Sequence, residues 1–290
     1  MKLLNNTYKN IAWITCLDSW VSWKTLALFC LTHGNEPAGL KALEYLFYDY
    51  KLAEKLKQGR VLLCVVNLEA YEKYKSSTDK NVWRFVDINM NRIGQFLDNK
   101  ESSEYKRFQE LLPLFDEIDV VLDIHSTDKQ QGSSMGICDR KHQDVAYNIL
   151  DVERILAHPY FDEEGALISF ITRQGKVGFG IECGSHQSPR AYKNAVRNCL
   201  NILSYYGLVD QKLVLEKRRE RFTFLKEIFP KTKKFAYTRE WDNFDEVLPG
   251  EIFATDGDML YKNDTDDVVY IWIIWQKVRV WDGICYLFKK

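Results

Sequence analysis

Hydrophobic runs of strand length recur along the chain as far as Gly207, and most stop at a polar turn. Thr25 to Thr32 is apolar at successive positions, as a strand covered on both faces would be. Arg60 to Leu68 and Asp119 to Ser126 have the same texture. Asn10 to Leu17, Met135 to Cys138 and the glycine-punctuated Lys176 to Cys183 complete the strand set. Between them lie helical patterns. Leu40, Leu43, Leu46 and Phe47 form a stripe that starts at Pro37, where a missing N–H does no harm, and runs to about Gln58-Gly59. Glu104 to Phe115, Asp144 to Leu156 and Pro189 to Tyr206 also have helical spacing, and Gly207 closes the last. Ala70 to Lys80 is polar and reads as irregular or briefly helical. Strands alternating with helices predict a layered α/β domain over 1–209.

The texture changes beyond that point. Lys212 to Phe229 is highly charged, and its run Glu216 to Arg221 reads as a solvated connector or helix face. Pro249-Gly250, Asp256-Gly257 and Asp282-Gly283 are turn signals. Val268 to Val280 is dense in β-branched and aromatic residues, so 210–290 is expected to be a small all-β domain in which Trp272, Trp275 and Trp281 pack.

Charge narrows the partners. The 290 residues carry 40 Lys and Arg against 41 Asp and Glu, which gives no electrostatic grip on nucleic acid or an anionic membrane. The one basic run is mixed with Glu and lacks interleaved aromatic platforms. The seven cysteines include no Cys-x-x-Cys pair and sit mostly in apolar runs, as reduced core residues of a cytoplasmic protein do. The first residues are too polar for a signal peptide, and no apolar run approaches the roughly 18 residues of a membrane span.

Candidate chemistry gathers at the C-terminal ends of the predicted strands: His33 with Glu36, His125, and Glu182. Ligands bind at that edge of open α/β sheets. Two imidazoles and a carboxylate can hold zinc with a fourth position open for water. Asp123, two residues before His125, shares its strand face and could support a ligand from behind. The plainer reading makes His33 a turn residue and His125 a hydrogen-bonded core histidine. Glu182 could act as a general base beside a metal, or be a salt-bridged strand end. Arg84, Asn89, Asn91 and Arg92 cluster in an otherwise apolar stretch, suited to an anionic group or a carbonyl, or to ordinary surface ion pairs. Arg173 is a further anion-binding candidate and His186 could line the site. His142 and His158 lie in polar loops and are expected at the surface. No base is evident for a catalytic Cys183 thiol.

In series, His33-Gly34-Asn35-Glu36, Arg84-x-x-Asp87-x-x-x-Asn91-Arg92, Asp123-Ile124-His125-Ser126-Thr127 and Ile181-Glu182-Cys183-Gly184 resemble the succinylglutamate desuccinylase/aspartoacylase family, whose members are zinc-dependent amide hydrolases related to zinc carboxypeptidases. The resemblance implies a carboxypeptidase-like α/β/α sandwich with a mixed central sheet and a small C-terminal all-β domain. It implies one zinc per chain on His33, Glu36 and His125, with Glu182 as general base and Arg84 polarising the scissile carbonyl. Asn91 and Arg92 would hold a substrate carboxylate, and Arg173 another. The expected reaction is hydrolysis of a small-molecule N-acyl amino acid to a carboxylate and a free amino acid. A metallocarboxypeptidase acting on peptides, and a non-catalytic binding protein of the same fold, are the rival readings. Homo-oligomerisation stays open. One departure stands out: the family usually carries an acidic residue where this chain has Asn89.

Overall fold

The computed structural model describes residues 6–79, 82–127, 134–158, 165–186, 188–273 and 285–290. The chain folds as two compact units, Met1–Arg219 and Glu220–Lys290. In the first unit, β1 (Thr7–Tyr8) and β2 (Ile11–Ala12) form a short hairpin. The main sheet of this unit is built from β3 (Ile14–Asp18), β4 (Thr25–Cys30), β5 (Arg60–Val65), β6 (Val120–Thr127), β7 (Met135–Cys138), β8 (Arg154–Ala157) and β9 (Val177–Ser185). Their order is β8-β7-β9-β6-β4-β5-β3. The sheet is mixed: β5, β4, β6 and β9 run parallel, while β3 and β7 each oppose their inner neighbour.

Helices α1 (Ala38–Tyr48), α2 (Leu52–Lys55), α3 (Leu68–Ser76), α4 (Ser103–Phe115), α5 (Gln143–Ile149), α6 (Ser169–Thr172) and α7 (Pro189–Tyr205) flank the strands. The sandwich follows from β4, whose residues are all buried. Leu26, Leu28 and Cys30 pack with Leu40 and Leu43 of α1 and with Ala195 and Cys199 of α7. Ala27 and Phe29 point the other way, into a core with Phe108, Leu111 and Phe115 of α4 and Ile171 of α6. Burying one such side chain is worth about 1.5–3 kcal/mol, so a strand covered on both faces is the strongest anchor in the fold. Caps set the helix starts: Ser102 accepts Tyr105 N–H, Ser188 accepts Arg190 N–H ahead of Pro189, and Asn67 accepts Ala70 N–H.

One open sequence expectation resolves here, to its briefly helical form, and two change. The polar stretch from Ala70 lies largely in α3, because Asn67 nucleates a helix whose outer face needs few apolar residues. The helix after Pro37 stops at Tyr48, and Lys51 takes a left-handed φ of 55° before a separate short turn. The helix expected over 144–156 is two elements: α5 ends at Ile149 and β8 begins at Arg154. Asn198 Oδ1 accepts the Asp151 N–H between them, and the β-branched and apolar end of that stretch pairs with β7 instead.

The connector after α7 belongs with the first unit. Asp151, fully buried, accepts the N–H groups of Glu216 and Lys217 and pairs with Arg197 at 2.6 Å. Asn201 brackets Val214 through both its N–H and its carbonyl.

The second unit is antiparallel. Strands β10 (Glu220–Ile228), β12 (Asp245–Val247), β15 (Val269–Ile273) and β16 (Cys285–Lys289) lie in the order β12-β15-β16-β10, and β11 (Phe235–Tyr237), β13 (Ile252–Asp256) and β14 (Met259–Lys262) form a second sheet. Val247, Phe253, Ile271 and Leu287 centre its core. Trp272 stacks on Phe244, while Trp275 and Trp281 lie outside the described residues. Among the described residues, no helix is long and apolar enough to cross a membrane.

Where β4 ends, Gly34 presses against the backbone of α3. A Cβ there would sit 2.4 Å from the Ala70 carbonyl carbon. Gly34→Ala is therefore expected to lower unfolding stability by about 1–3 kcal/mol, read as a shifted denaturant midpoint. An unshifted midpoint would show that α3 yields easily.

Candidate metal centre and active site

The site begins where β4 breaks. Leu31 adopts φ 55°, a conformation that costs an L-residue about 1–2 kcal/mol. The chain turns sharply there, with Leu31 O accepting Asn67 N–H. Thr32 Oγ1 donates to Asp123 Oδ1 at 2.7 Å, and Gly34 N–H donates to Arg84 O at 2.8 Å. These bonds set the His33–Glu36 turn against the neighbouring strand β6.

Glu36 is the hub. His33 Nδ1 lies 2.8 Å from its Oε1, and His125 Nδ1, from β6, lies 2.9 Å from its Oε2. Arg84 Nη1 donates to Oε1 at 2.7 Å and Ser126 N–H to Oε2 at 3.2 Å. His33, Glu36 and His125 are all buried, and one donor atom from each falls within 4.8 Å of the others. Each imidazole is backed by an oxygen at its outer nitrogen. His33 Nε2 is 3.0 Å from Asn89 Oδ1, and His125 Nε2 is 3.0 Å from Asp123 Oδ2.

The electrostatics are asymmetric. Burial would raise the Glu36 carboxyl, but His33, His125 and Arg84 hold it well below the usual range. Burial and then Arg84 push His33 down to about 4. Burial also opposes the charged form of His125, yet Asp123 and Glu36 outweigh it and hold the ring well above its usual value. A neutral His33 has one N–H for two oxygen neighbours. One of its nitrogens therefore turns a lone pair toward an oxygen unless a cation lies between. Inward-facing Nδ1 atoms, outer nitrogens held from behind and a carboxylate between them form a donor set that fits a divalent metal of zinc type.

Glu182, on β9, is register partner to His125. Its Oε2 is shut off from solvent and has no hydrogen-bond partner among the described residues. Burial and the Glu36 charge raise this carboxyl to about 7. His186, four residues on, places Nδ1 2.8 Å from Ser126 Oγ. Asn91 N–H donates to Asn89 Oδ1, and Arg92 Nη1 donates to Asn91 O at 2.7 Å.

The structure therefore brings together His33, Glu36, His125, Arg84 and Glu182, with Asn89 and Asn91 alongside and Arg92 following in the same segment. It does not bring in Arg173. That residue is exposed at the end of α6, before β9 begins. The run from Val177 to Glu182 rises about 3.3 Å per residue and separates the two along the sheet. Proximity in sequence to Glu182 misled because the intervening residues form an extended strand. His158, expected at the surface, is buried instead. It extends β8, donating its N–H to Cys138 O. Burial and then the charge of Arg92 lower its ring to about 3. A histidine directly after an apolar Ile-Leu-Ala run was the available signal.

Residues 22–205 match the succinylglutamate desuccinylase/aspartoacylase catalytic domain, and the chain belongs to that family. Solved structures of similar fold include the ectoine utilization protein EutE (DoeB) of Ruegeria pomeroyi, with a TM-score of 0.69 and 16% identity over 99% of this chain and 93% of that one. A succinylglutamate desuccinylase/aspartoacylase of Rhodobacter sphaeroides has a TM-score of 0.68 and 19% identity over 98% and 93%. The succinylglutamate desuccinylase of Chromobacterium violaceum has a TM-score of 0.68 and 20% identity over 93% and 86%. No curated protein matches the chain in sequence.

His158 makes a pH prediction. Its folded value is about 3 against an ordinary 6.5, so between those pH values the unfolded chain takes up a proton that the folded chain refuses. Its contribution to stability is complete above 6.5 and falls on acidification by up to ~1.4 kcal/mol per pH unit. His158→Asn should flatten the acid limb of unfolding free energy against pH by that amount. An unchanged slope would remove His158 from the acid response.

Proposed function

We propose that this chain is a zinc-dependent hydrolase that cleaves the amide bond of an N-acyl amino acid to a carboxylate and a free amino acid. Family membership supports the reaction class. The observation that carries the reading is the pairing of the His33–Glu36–His125 donor set with Glu182, whose Oε2 is shut off from solvent without a hydrogen-bond partner among the described residues and whose carboxyl is raised to about 7 by burial and the Glu36 charge. One zinc held by His33, Glu36 and His125 would act as a Lewis acid, lowering the pKa of a water towards about 7.

The protein's own groups do the remainder. Glu182 accepts the proton of the attacking water and delivers it to the departing amine nitrogen. Arg84 keeps one N–H on Glu36 while its side chain stays 41% exposed, so its other donors can meet the carbonyl oxygen as negative charge builds there. Asn91 and Arg92 hold the substrate carboxylate, Arg92 through its planar fork. Arg173 has no part in this scheme. All seven cysteines are free, which supports a cytoplasmic setting.

Two variants test the scheme. Glu182→Gln should keep zinc and lose hydrolysis by about 10²-fold or more, assayed on N-acyl amino acids beside peptides with free C-termini. Turnover at the unmodified rate would sink the general-base assignment, and cleavage of the peptides alone would sink the substrate class. Asn89→Asp places a carboxylate behind His33 in place of a neutral amide oxygen. A more basic ligand should result, with zinc held about tenfold more tightly in chelator competition. Equal affinity would show that the backing group does not tune this ligand.

A further inference from the structure

The segment carrying Arg84, Asn89, Asn91 and Arg92 is mostly irregular, yet two of its side chains reach the hub and its ligand with bonding distances of 2.7 and 3.0 Å. Something must hold its backbone. Glu104, in the first turn of α4, is fully buried. Its Oε1 accepts Val86 N–H at 2.6 Å and the Asn67 side-chain amide at 2.9 Å. Its Oε2 accepts Asp87 N–H at 3.0 Å and Ile88 N–H at 3.2 Å. Among the described residues it makes no ion pair. The charge is satisfied by three successive backbone amides and one side-chain amide.

We infer that Glu104 is a positioning residue for the reaction, a buried carboxylate whose grip on residues 86–88 aims Arg84 at Glu36 and Asn89 at His33. Three consecutive N–H groups converging on one anion bend the backbone into a concave turn. Arg84 leaves that turn two residues before its start, and Asn89 one residue after its end. The turn is tied at both sides: Arg84 O receives Gly34 N–H from the ligand turn, and Asp87 Oδ2 receives Ser103 N–H from the start of α4. Asn67 adds the third anchor, since its Oδ1 caps α3 while its amide donates to Glu104. One carboxylate thus joins the ends of two helices to the strand-end turn. A purely local stabiliser of α4 would need none of the amides of 86–88.

This inference rests on the proposed function only for its kinetic arm. In the full chain with saturating zinc, Glu104→Gln keeps the side-chain volume but turns an NH2 toward two of the four donors. Trypsin should then cut after Arg84 and Arg92 at least about tenfold faster than in the unmodified protein, at a temperature where the circular dichroism of both is native. The turnover number for an N-acyl amino acid should fall about tenfold or more. In an Arg84→Ala background the same change should cost at least about threefold less, because only the part of its effect that runs through Asn89 remains. Equal losses in both backgrounds, or an unchanged trypsin rate, would overturn the assignment. If Glu104→Gln does not fold, Asn67→Asp takes its place. That variant keeps the α3 cap, sets a second carboxylate against Glu104, and should expose the same two cleavage sites. If the unmodified protein hydrolyses no N-acyl amino acid, the functional reading fails while the trypsin arm still decides Glu104.

Discussion

The buried Glu36 carboxylate is the constraint on which the site depends. A carboxylate out of water is costly unless opposite charge and donors surround it. Here two imidazoles, a guanidinium and a backbone N–H come from three places in the chain: the turn after β4, the irregular segment at Arg84, and β6, which supplies both His125 and the N–H of Ser126. Removing Arg84 or His125 takes opposite charge away from the buried Glu36 carboxylate, and removing His33 takes away a polar neighbour. The left-handed kink at Leu31 and the tight seat of Gly34 on α3 are strained or crowded features whose cost this cluster offsets.

The sheet supplies the precision. Because β4, β6 and β9 are parallel neighbours, their C-terminal ends coincide, and the residues just past or within those ends converge. His125 and Glu182 share a register position, so their separation is set by strand spacing and not by loop conformation. The side chains that leave the irregular segment lack that support and depend on buried anchors. The two imidazoles also differ in what stands behind them, a carboxylate for His125 and a neutral amide for His33.

Much of this is legible in the sequence where chemistry and periodicity coincide. Apolar runs ending in His33, His125 and Glu182 announce strand ends in a parallel sheet, and the α/β/α architecture follows from continuous rather than alternating hydrophobicity. Two physical effects hide the rest. One is distance: Arg173 is near Glu182 in sequence, but an extended strand carries neighbours apart faster than a turn does. The other is that a polar residue's partner can be non-local. His158 is polar by type yet sits against Cys138 and Arg92, and Glu104 looks like an ordinary acidic residue in a helix's first turn until its amide partners are known. Likewise the α5–β8 stretch reads as one helix because its pairing with β7 cannot be seen locally.

The distance along the chain between the parts of the hub has an entropic meaning. Glu36 and His125 are 89 residues apart, and they meet only when β4 and β6 have paired around everything between them. Parallel pairing of this kind is non-local, and its loop-closure entropy must be met before any contact rewards it. The cluster is therefore complete only in a chain whose sheet is already paired. Its loop-closure cost is shared with the pairing of the whole sheet, and an ion that binds the assembled cluster and not the unfolded chain adds to the stability of the folded domain by mass action.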